Sequence, residues 1–318
     1  MNPRTPQSAY DRAHSDAYAA MYRYLTEDLG RDPEFAAHRA QAEVERRGAA
    51  RFCDELETRG IRIAQQRILD LGAGLGALTA ELASRGGIVF GVEPGEGWRR
   101  IAAGRLSHLP SAHIVGGVGE SLPLGDNSID LVVSLQVLEH VQSPPRVIRE
   151  MYRVLKPGGA LCIAYENYLG FREPHYGVAW LPMLPKPLGA VYLKLRGRNP
   201  RFLLEAVTYT SFPAVRRELL RAGFRCLRQE GWKEKLYSKE ECGWRWRILR
   251  SIPPRAALRV LAAADFSTRI FRTFTEEMMR KPDSVSDSNL DLTARPTGFS
   301  SRVPETSDTR DECIVHGR

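Results

Sequence analysis

Apolar positions along the chain follow two periods, and the alternation between them outlines a fold. Short, almost purely apolar runs fall at Arg67–Leu71, at residues 88–92 (IVFGV), at Ile129–Ser134 and after the turn Lys156-Pro157-Gly158-Gly159. A run with no polar face suits a strand covered on both sides, as in a parallel sheet. Segments of helical period separate these runs through Asn167, which predicts a doubly wound α/β sheet. Helices are predicted before the first strand, over residues 8–30, where Tyr10, Tyr18, Tyr22 and Tyr24 recur near helical spacing, and from Pro33 to Arg59. The alternation breaks at residues 168–205, which hold five prolines, many aromatics and no clean period. It resumes with a helix from about Ser211 to Ala222, ended by Gly223, and a strand near Phe224–Glu230. One or two further helices are predicted within Pro254–Arg280, and from Lys281 onward the Ser, Thr, Asp, Pro and Arg content predicts a disordered tail.

The first strand leads into the most informative segment, ILDLGAGLG at residues 68–76. It reads as a buried strand turning into a helix whose first N–H groups lack intrahelical partners and face a ligand. Gly72, Gly74 and Gly76 allow a tight turn and a close backbone approach. A dinucleotide fingerprint spaces its glycines GxGxxG, whereas this loop reads GAGLGA, which argues against NAD. Asp70, directly before the loop, suits a ligand with an amino group. Glu93 ends the second strand roughly 20 residues after the loop, where a carboxylate can accept from both hydroxyls of a ribose. Further on, residues 117–141 (GVGESLPLGDNSIDLVVSLQVLEHV) give a turn, an acidic bend at Gly125-Asp126-Asn127 and another strand, and a helix then stops at the Lys156–Gly159 turn.

The segments ILDLGAGLG, GVEPG, GESLPL, NSIDLVVSLQVLEHV and RVLKPGG, in this order and spacing, resemble the class I S-adenosylmethionine-dependent methyltransferases. The similarity is to their small-molecule branch, type 11, related to ubiquinone and menaquinone biosynthesis, and it covers residues 67–167. It implies a Rossmann-like sheet of seven strands with the last antiparallel, for which TRIFRTF (268–274) is the candidate segment. It also implies a helical extension over residues 1–60, a methyltransferase domain over 61–280 and a substrate-binding cap inserted after the fifth strand at about 168–205. The implied cofactor is S-adenosyl-L-methionine, its methionine part lined by Gly72, Ala73 and Gly74 of the loop that Gly76 completes, with Asp70 near its amino group. Glu93 would hold the ribose, Pro94 would pack on the adenine, Gly119 and Glu120 would border the adenine edge, and Leu135 and Gln136 would lie beside the methyl. Where the family often places an Asp to accept from the adenine amine this chain has Val118, which leaves that task to backbone groups or Glu120. An amino-terminal helix closes over the cofactor in related enzymes, and the pair Tyr10-Asp11 can approach it.

Composition narrows the setting. A chain of 318 residues with 43% hydrophobic content can hold one large α/β domain with additions. Cys53, Cys162, Cys226, Cys242 and Cys313 are scattered without CxxC spacing, so neither a disulfide framework nor a zinc site is suggested. The first residues lack an apolar signal core and no apolar run reaches the roughly 18 residues of a membrane span, which predicts a cytoplasmic protein. The net charge of +8 is concentrated: Lys194 to Arg259 holds seventeen Lys plus Arg against six Asp plus Glu. Such a stretch could attract an anionic substrate, make peripheral contact with an anionic membrane, or hold RNA. No nucleic-acid module accompanies it, so no DNA is expected and RNA is not the first choice.

Methyl transfer is displacement at a sulfonium methyl, and a general base is needed only when the nucleophile arrives protonated. His175, in FREPHYG between Glu173 and Tyr176, and His140, in LEHV, are the catalytic candidates. The exit of the fourth strand, SLQVLEH, contains no DPPY- or NPPY-like segment, which argues against an adenine or glutamine nitrogen as acceptor. Methyltransferases of small-RNA ends use metal with an ExxEH pattern; Gln136 replaces the first Glu here, and QVLEH cannot supply the ligand set, so no metal is expected. The reading is O-methylation, without metal, of a small molecule, sugar or lipid-linked glycan intermediate. The alternatives are a catalytically inactive S-adenosylmethionine-binding regulatory protein, and an RNA or protein methyltransferase using the basic segment 194–259.

Overall fold

The structure is a computed structural model that describes residues 6–226 and 274–283. Helix α1 (Pro6–Arg23) continues into one turn of π-helix (Tyr24–Asp28), followed by α2 (Pro33–Val44) and α3 (Arg47–Thr58). Asp32 starts α2, its Oδ1 accepting from the N–H groups of Glu34 and Phe35 with Pro33 in the first turn. The single helix expected from Pro33 to Arg59 is broken into two. Arg46 takes a left-handed backbone (φ 55°), and the carbonyls of Glu43 and Val44 turn to the buried guanidinium of Arg105 at 3.0 and 3.3 Å.

Then come β1 (Arg67–Leu71), α4 (Ala77–Ser84), β2 (Ile88–Val92), α5 (Glu96–Leu106), β3 (Ala112–Val115), β4 (Ile129–Leu135), α6 (Pro144–Val154) and β5 (Leu155–Glu166). A small hairpin, β6 (Arg172–Glu173) with β7 (Val178–Ala179), precedes α7 (Lys186–Leu195), α8 (Arg201–Glu205), α9 (Phe212–Arg221), β8 (Arg225–Cys226) and β9 (Phe274–Arg280). The main sheet runs β3-β2-β1-β4-β5-β9-β8, six strands of four residues or more with the two-residue β8 at its edge. Strands β1 to β5 pair in parallel and β9 is antiparallel to both neighbours, a Rossmann-like arrangement. Consecutive residues of β1 point to opposite layers. Leu69 and Leu71 pack with Ile148, Met151 and Leu219 under α6 and α9, whereas Ile68 packs with Cys53, Leu56 and Leu82 under α3 and α4.

Three sequence expectations need correction in the carboxyl half. The antiparallel strand is Phe274–Arg280, so TRIFRTF meets it only at Phe274 and its other residues lie outside the described set. The same strand displaces the end of the helix predicted up to Arg280: FTEEMMR is rich in helix-favouring Glu and Met, but a place between β5 and β8 overrides that preference. Contacts also extend past the expected start of the tail. The Lys281 N–H donates to the Gly159 carbonyl, and its ammonium donates to Asn127 Oδ1 and to the carbonyls of Tyr152 and Leu155. Residues 284–318, like most of the basic segment beyond Cys226 and the expected helices of 254–273, lie outside the description.

Helix α6 stops at Val154 and β5 begins at once, with Gly158 at φ 75° making the turn read from the sequence an irregularity inside the strand. Residues 168–205 hold more regular structure than their pattern suggested. Their elements are two to ten residues long, too short to display a period, yet Tyr176, Val178, Trp180, Leu193 and Leu203 form an apolar cluster of their own.

Candidate functional site

The carboxyl ends of β1 and β4 lie side by side where the strand order reverses, the place where open α/β sheets bind ligands. Gly72, Gly74 and Gly76 all have left-handed backbones, at φ 79°, 52° and 78°. The N–H groups of Gly72 and Ala73 donate to the Val92 carbonyl at 2.9 and 3.1 Å, tying the loop to β2. A Cβ on Gly72 would fall 2.4 Å from Val137 Cγ2, whereas one on Gly74 would meet the Trp98 ring at an ordinary 3.6 Å. Glu93 joins two loops: Oε2 accepts from the Gly74 N–H at 3.0 Å and Oε1 from the Gly95 N–H at 2.8 Å. The exposed Pro94 is held through its carbonyl, and that of Glu93, by the Arg99 guanidinium.

Asp70 is buried beneath this loop and accepts from the Thr79 hydroxyl at 2.6 Å. Burial pushes its carboxyl up to about 6; the Thr79 hydrogen bond opposes this and the Glu43 and Glu93 charges add to it. Folding therefore takes up a proton at Asp70. That contribution to stability is present below the unfolded value near 4 and is lost as pH rises through 6, at a cost of roughly 3 kcal/mol once the buried group is ionised. Asp70→Asn is thus expected to raise the thermal midpoint at pH 8 with a smaller gain at pH 5, and to weaken any ligand whose ammonium offsets the charge. Melting curves at the two pH values check this; a variant no more stable than the parent at pH 8 removes the argument.

Of the other residues singled out in the sequence, Gly119 packs on Val147 and Glu120 serves the start of α6, its Oε1 accepting from the N–H groups of Gln142 and Ser143. Leu135 ends β4, and Gln136 follows in a left-handed conformation (φ 56°), its side-chain amide donating to Glu166 Oε1 at 2.9 Å.

The two histidines, 35 residues apart, come together. His140 ends a 3-10 turn after β4 and His175 lies in the β6–β7 hairpin; their Nε2 atoms are 3.4 Å apart. His140 Nδ1 is 2.9 Å from the Ala206 carbonyl, which can only accept, so this nitrogen carries a proton. His175 Nδ1 is 3.1 Å from Glu173 Oε1, with the Tyr168 hydroxyl 3.3 Å away. The His140 residue is solvent-exposed, but desolvation of its packed ring lowers its pKa, assisted by His175 and opposed by the Ala206 hydrogen bond and the Glu173 charge. For His175 burial acts the same way, but the Glu173 hydrogen bond and the Glu173, Glu139 and Glu166 charges outweigh it and raise the pKa. Glu139 is fully buried, and neither of its oxygens completes a hydrogen bond of normal geometry. Burial pushes it up to about 7, partly offset by nearby backbone amides.

Aromatic rings connect the glycine loop to this pair. Trp98 lies against Gly74, Tyr24 meets Trp98 edge-on, and Phe202 of α8 touches Tyr24 and both imidazoles, with ring centroids 5.1 to 5.8 Å apart from Tyr24 onward. Trp98, Glu166, Tyr168 and Phe202 were not singled out in the sequence, and Tyr24 was noted there only for its helical spacing. Glu166 carried a usable signal, an acid at the carboxyl end of the strand run ALCIAYEN; the aromatic contacts depend on tertiary packing and carried none.

Residues 69–163 match the family described as Methyltransferase domain. An uncharacterized methyltransferase of Mycobacteroides abscessus is 34% identical over 122 residues, 36% of this chain and 45% of that protein. The biotin biosynthesis bifunctional protein BioHC of Cellvibrio japonicus is 34% identical over 135 residues, 42% of this chain and 25% of that protein. The chain thus spans less than half the length of these relatives. Among solved structures, an S-adenosylmethionine-dependent methyltransferase from Mesorhizobium loti aligns with 74% of this chain and 100% of its own at 18% identity and a TM-score of 0.47. Residues 69–163 of the chain thus carry a methyltransferase domain.

Proposed function

We propose that this chain transfers the methyl group of S-adenosylmethionine to a hydroxyl oxygen of a small or lipid-linked acceptor. The observation that carries the reading is the continuity between the Gly72–Gly76 loop, braced by Glu93, and the imidazole pair His140–His175, linked through Trp98, Tyr24 and Phe202. Asp70, Gly72, Ala73, Gly74 and Gly76 would receive the methionine part, Glu93 would exchange its two backbone donors for ribose hydroxyls, and Pro94, Gly119 and Glu120 would flank the adenine. Leu135 and Gln136, past β4, would border the methyl.

In the reaction an acceptor oxygen attacks the methyl carbon, the carbon–sulfur bond breaks with its electrons returning to sulfur, and S-adenosylhomocysteine leaves. His175, with His140, would position the acceptor hydroxyl and take part in removing its proton. Their concentration with buried carboxylates beside the domain's cofactor loop favours catalysis over a purely regulatory cofactor-binding role.

Helix α7 bears on the acceptor class. Gly189, Ala190 and Leu193 face inward while Leu188, Val191 and Leu195 stand exposed at i, i+3 and i+7, and the charges of Lys194 and Arg196 sit beside them. An apolar helix face edged with cations suits a lipid-linked acceptor at an anionic surface better than an RNA. None of the described helices is long and apolar enough to cross a membrane. The chain should be incubated with methyl-labelled S-adenosylmethionine and separated lipid, polar small-molecule, RNA and protein fractions. Label is expected in the lipid or small-molecule fraction. Label confined to RNA or protein would overturn the acceptor class, and no label anywhere despite binding of S-adenosylhomocysteine would favour the non-catalytic role.

A further inference from the structure

We infer that Glu139, His140 and His175 form a binding site for one divalent transition-metal ion. One ligand atom from each of the three lies within 4.8 Å of the others. The segment QVLEH by itself supplies too few ligands; the fold adds His175 from the hairpin 35 residues on.

The protonation pattern is what makes these atoms ligands. His140 gives its Nδ1 proton to the Ala206 carbonyl, and a neutral His175 gives its own to Glu173. With both rings neutral the two Nε2 lone pairs face each other across 3.4 Å, an arrangement that is repulsive unless a metal ion or a proton lies between them. Two nitrogens on a tetrahedral ion at about 2.1 Å are themselves roughly 3.4 Å apart, so the rings already stand at the separation of a coordinated pair. A carbonyl or carboxylate on the distal nitrogen is the usual device that orients a metal-binding histidine, and here each ring has one.

The charge around the pair supplies an independent reason. Glu139, Glu166 and Glu173 are all buried, and among the described residues no Lys or Arg forms an ion pair with any of them. Both oxygens of Glu139 and Oε2 of Glu166 complete no hydrogen bond of normal geometry, which is costly for buried carboxylates unless they are protonated or a positive charge is held nearby. Two imidazoles and one carboxylate suit zinc, cobalt or iron(II) rather than magnesium, and three protein ligands leave a position open for an exogenous oxygen. The competing occupant is a proton on His175 shared with His140. The site does not depend on the methyl-transfer reading; if that reading holds, the open position is where an acceptor hydroxyl would bind, and the two histidines would then act on it through the ion and not as free bases.

The test is titration of the chelator-treated full chain with Co²⁺, followed by visible absorption, with S-adenosylhomocysteine calorimetry on the same samples. One equivalent of Co²⁺ is expected to bind with ligand-field bands of a low-coordinate site, and Zn²⁺ to displace it. His175→Ala and Glu139→Gln should each weaken binding roughly 100-fold or more, and Glu173→Gln, which leaves all three ligands in place, by about 10- to 100-fold. Retained S-adenosylhomocysteine affinity certifies that a variant is folded, and Glu173→Gln covers the case of a ligand variant that is not. Absence of a one-equivalent Co²⁺ spectrum, or the same Co²⁺ affinity in folded His175→Ala or Glu173→Gln protein, overturns the site and assigns the pair to a shared proton. Metal binding without cofactor binding would instead sink the methyl-transfer reading and leave the metal site standing.

Discussion

Gly72→Val is expected to lower S-adenosylmethionine affinity by at least about 100-fold, the largest binding loss of any single change in the cofactor loop. Two independent costs meet at this position. Its φ of 79° is one that a β-branched residue adopts only with strain of order 1 to 3 kcal/mol. The new Cβ would also start 2.4 Å from Val137 Cγ2, so either the loop or the strand-four exit must move, and both border the proposed methionine site. Gly74→Ala provides the contrast, because a Cβ there makes only ordinary contacts, with Trp98 at 3.6 Å and the Gly72 carbonyl at 4.0 Å, and the cost is mainly conformational. Glu93→Ala acts by a third route, removing the acceptor that braces Gly74 and Gly95 and is proposed for the ribose, at about 1.5 to 3 kcal/mol. Calorimetry with S-adenosylhomocysteine should rank affinities parent, then Gly74→Ala and Glu93→Ala, then Gly72→Val, with circular dichroism confirming a folded chain. Unchanged affinity in Gly72→Val and Glu93→Ala would remove the loop as the cofactor site.

How much of this was readable in the chain follows from what each part of the fold imposes locally. Strands β1, β2 and β4 are largely covered on both faces, so they appear as almost purely apolar runs, and the positive φ at Gly72, Gly74 and Gly76 leaves glycine in the sequence. Asp70 and Glu93 were legible for a related reason: an acid at the carboxyl end of a buried strand has few structural uses. The break at Arg46 was not, because the element that stabilises it, Arg105, lies 59 residues further on and binds backbone carbonyls of no particular sequence. Strand β9 was hidden by its composition, since FTEEMMR prefers a helix and becomes a strand only where β5 and β8 offer it partners. The proximity of His140 and His175 was hidden by distance, although Glu173 beside His175 was already visible as a group able to orient it. What sequence reasoning could not supply was the other side of the pair, with Phe202 arriving from the far end of the 168–205 insertion and Ala206 from just beyond it.

His175→Ala is expected to reduce turnover by about 10² to 10⁴ once an acceptor is in hand, while S-adenosylhomocysteine affinity stays near that of the parent. The separation of the two readouts follows from the layout. The imidazole contacts Glu173, Tyr168, His140 and Phe202 but none of the backbone donors of the Gly72–Gly76 loop, so its loss should be felt by the acceptor and not by the cofactor. His140→Ala should cost a comparable factor, because the two Nε2 atoms face each other and neither ring can position an acceptor oxygen without the other. Groups that act as a unit are not additive, so the double variant should be little worse than either single one. A histidine that merely held the hairpin in shape would behave differently: its loss would lower the thermal midpoint and raise KM for the acceptor while leaving kcat close to the parent's. Steady-state kinetics of the two single variants and the double variant, with melting curves alongside, distinguish these cases. A His175→Ala enzyme that turns over at the parental rate takes this residue out of the mechanism, and a large loss seen only in His140→Ala moves the role to that residue alone.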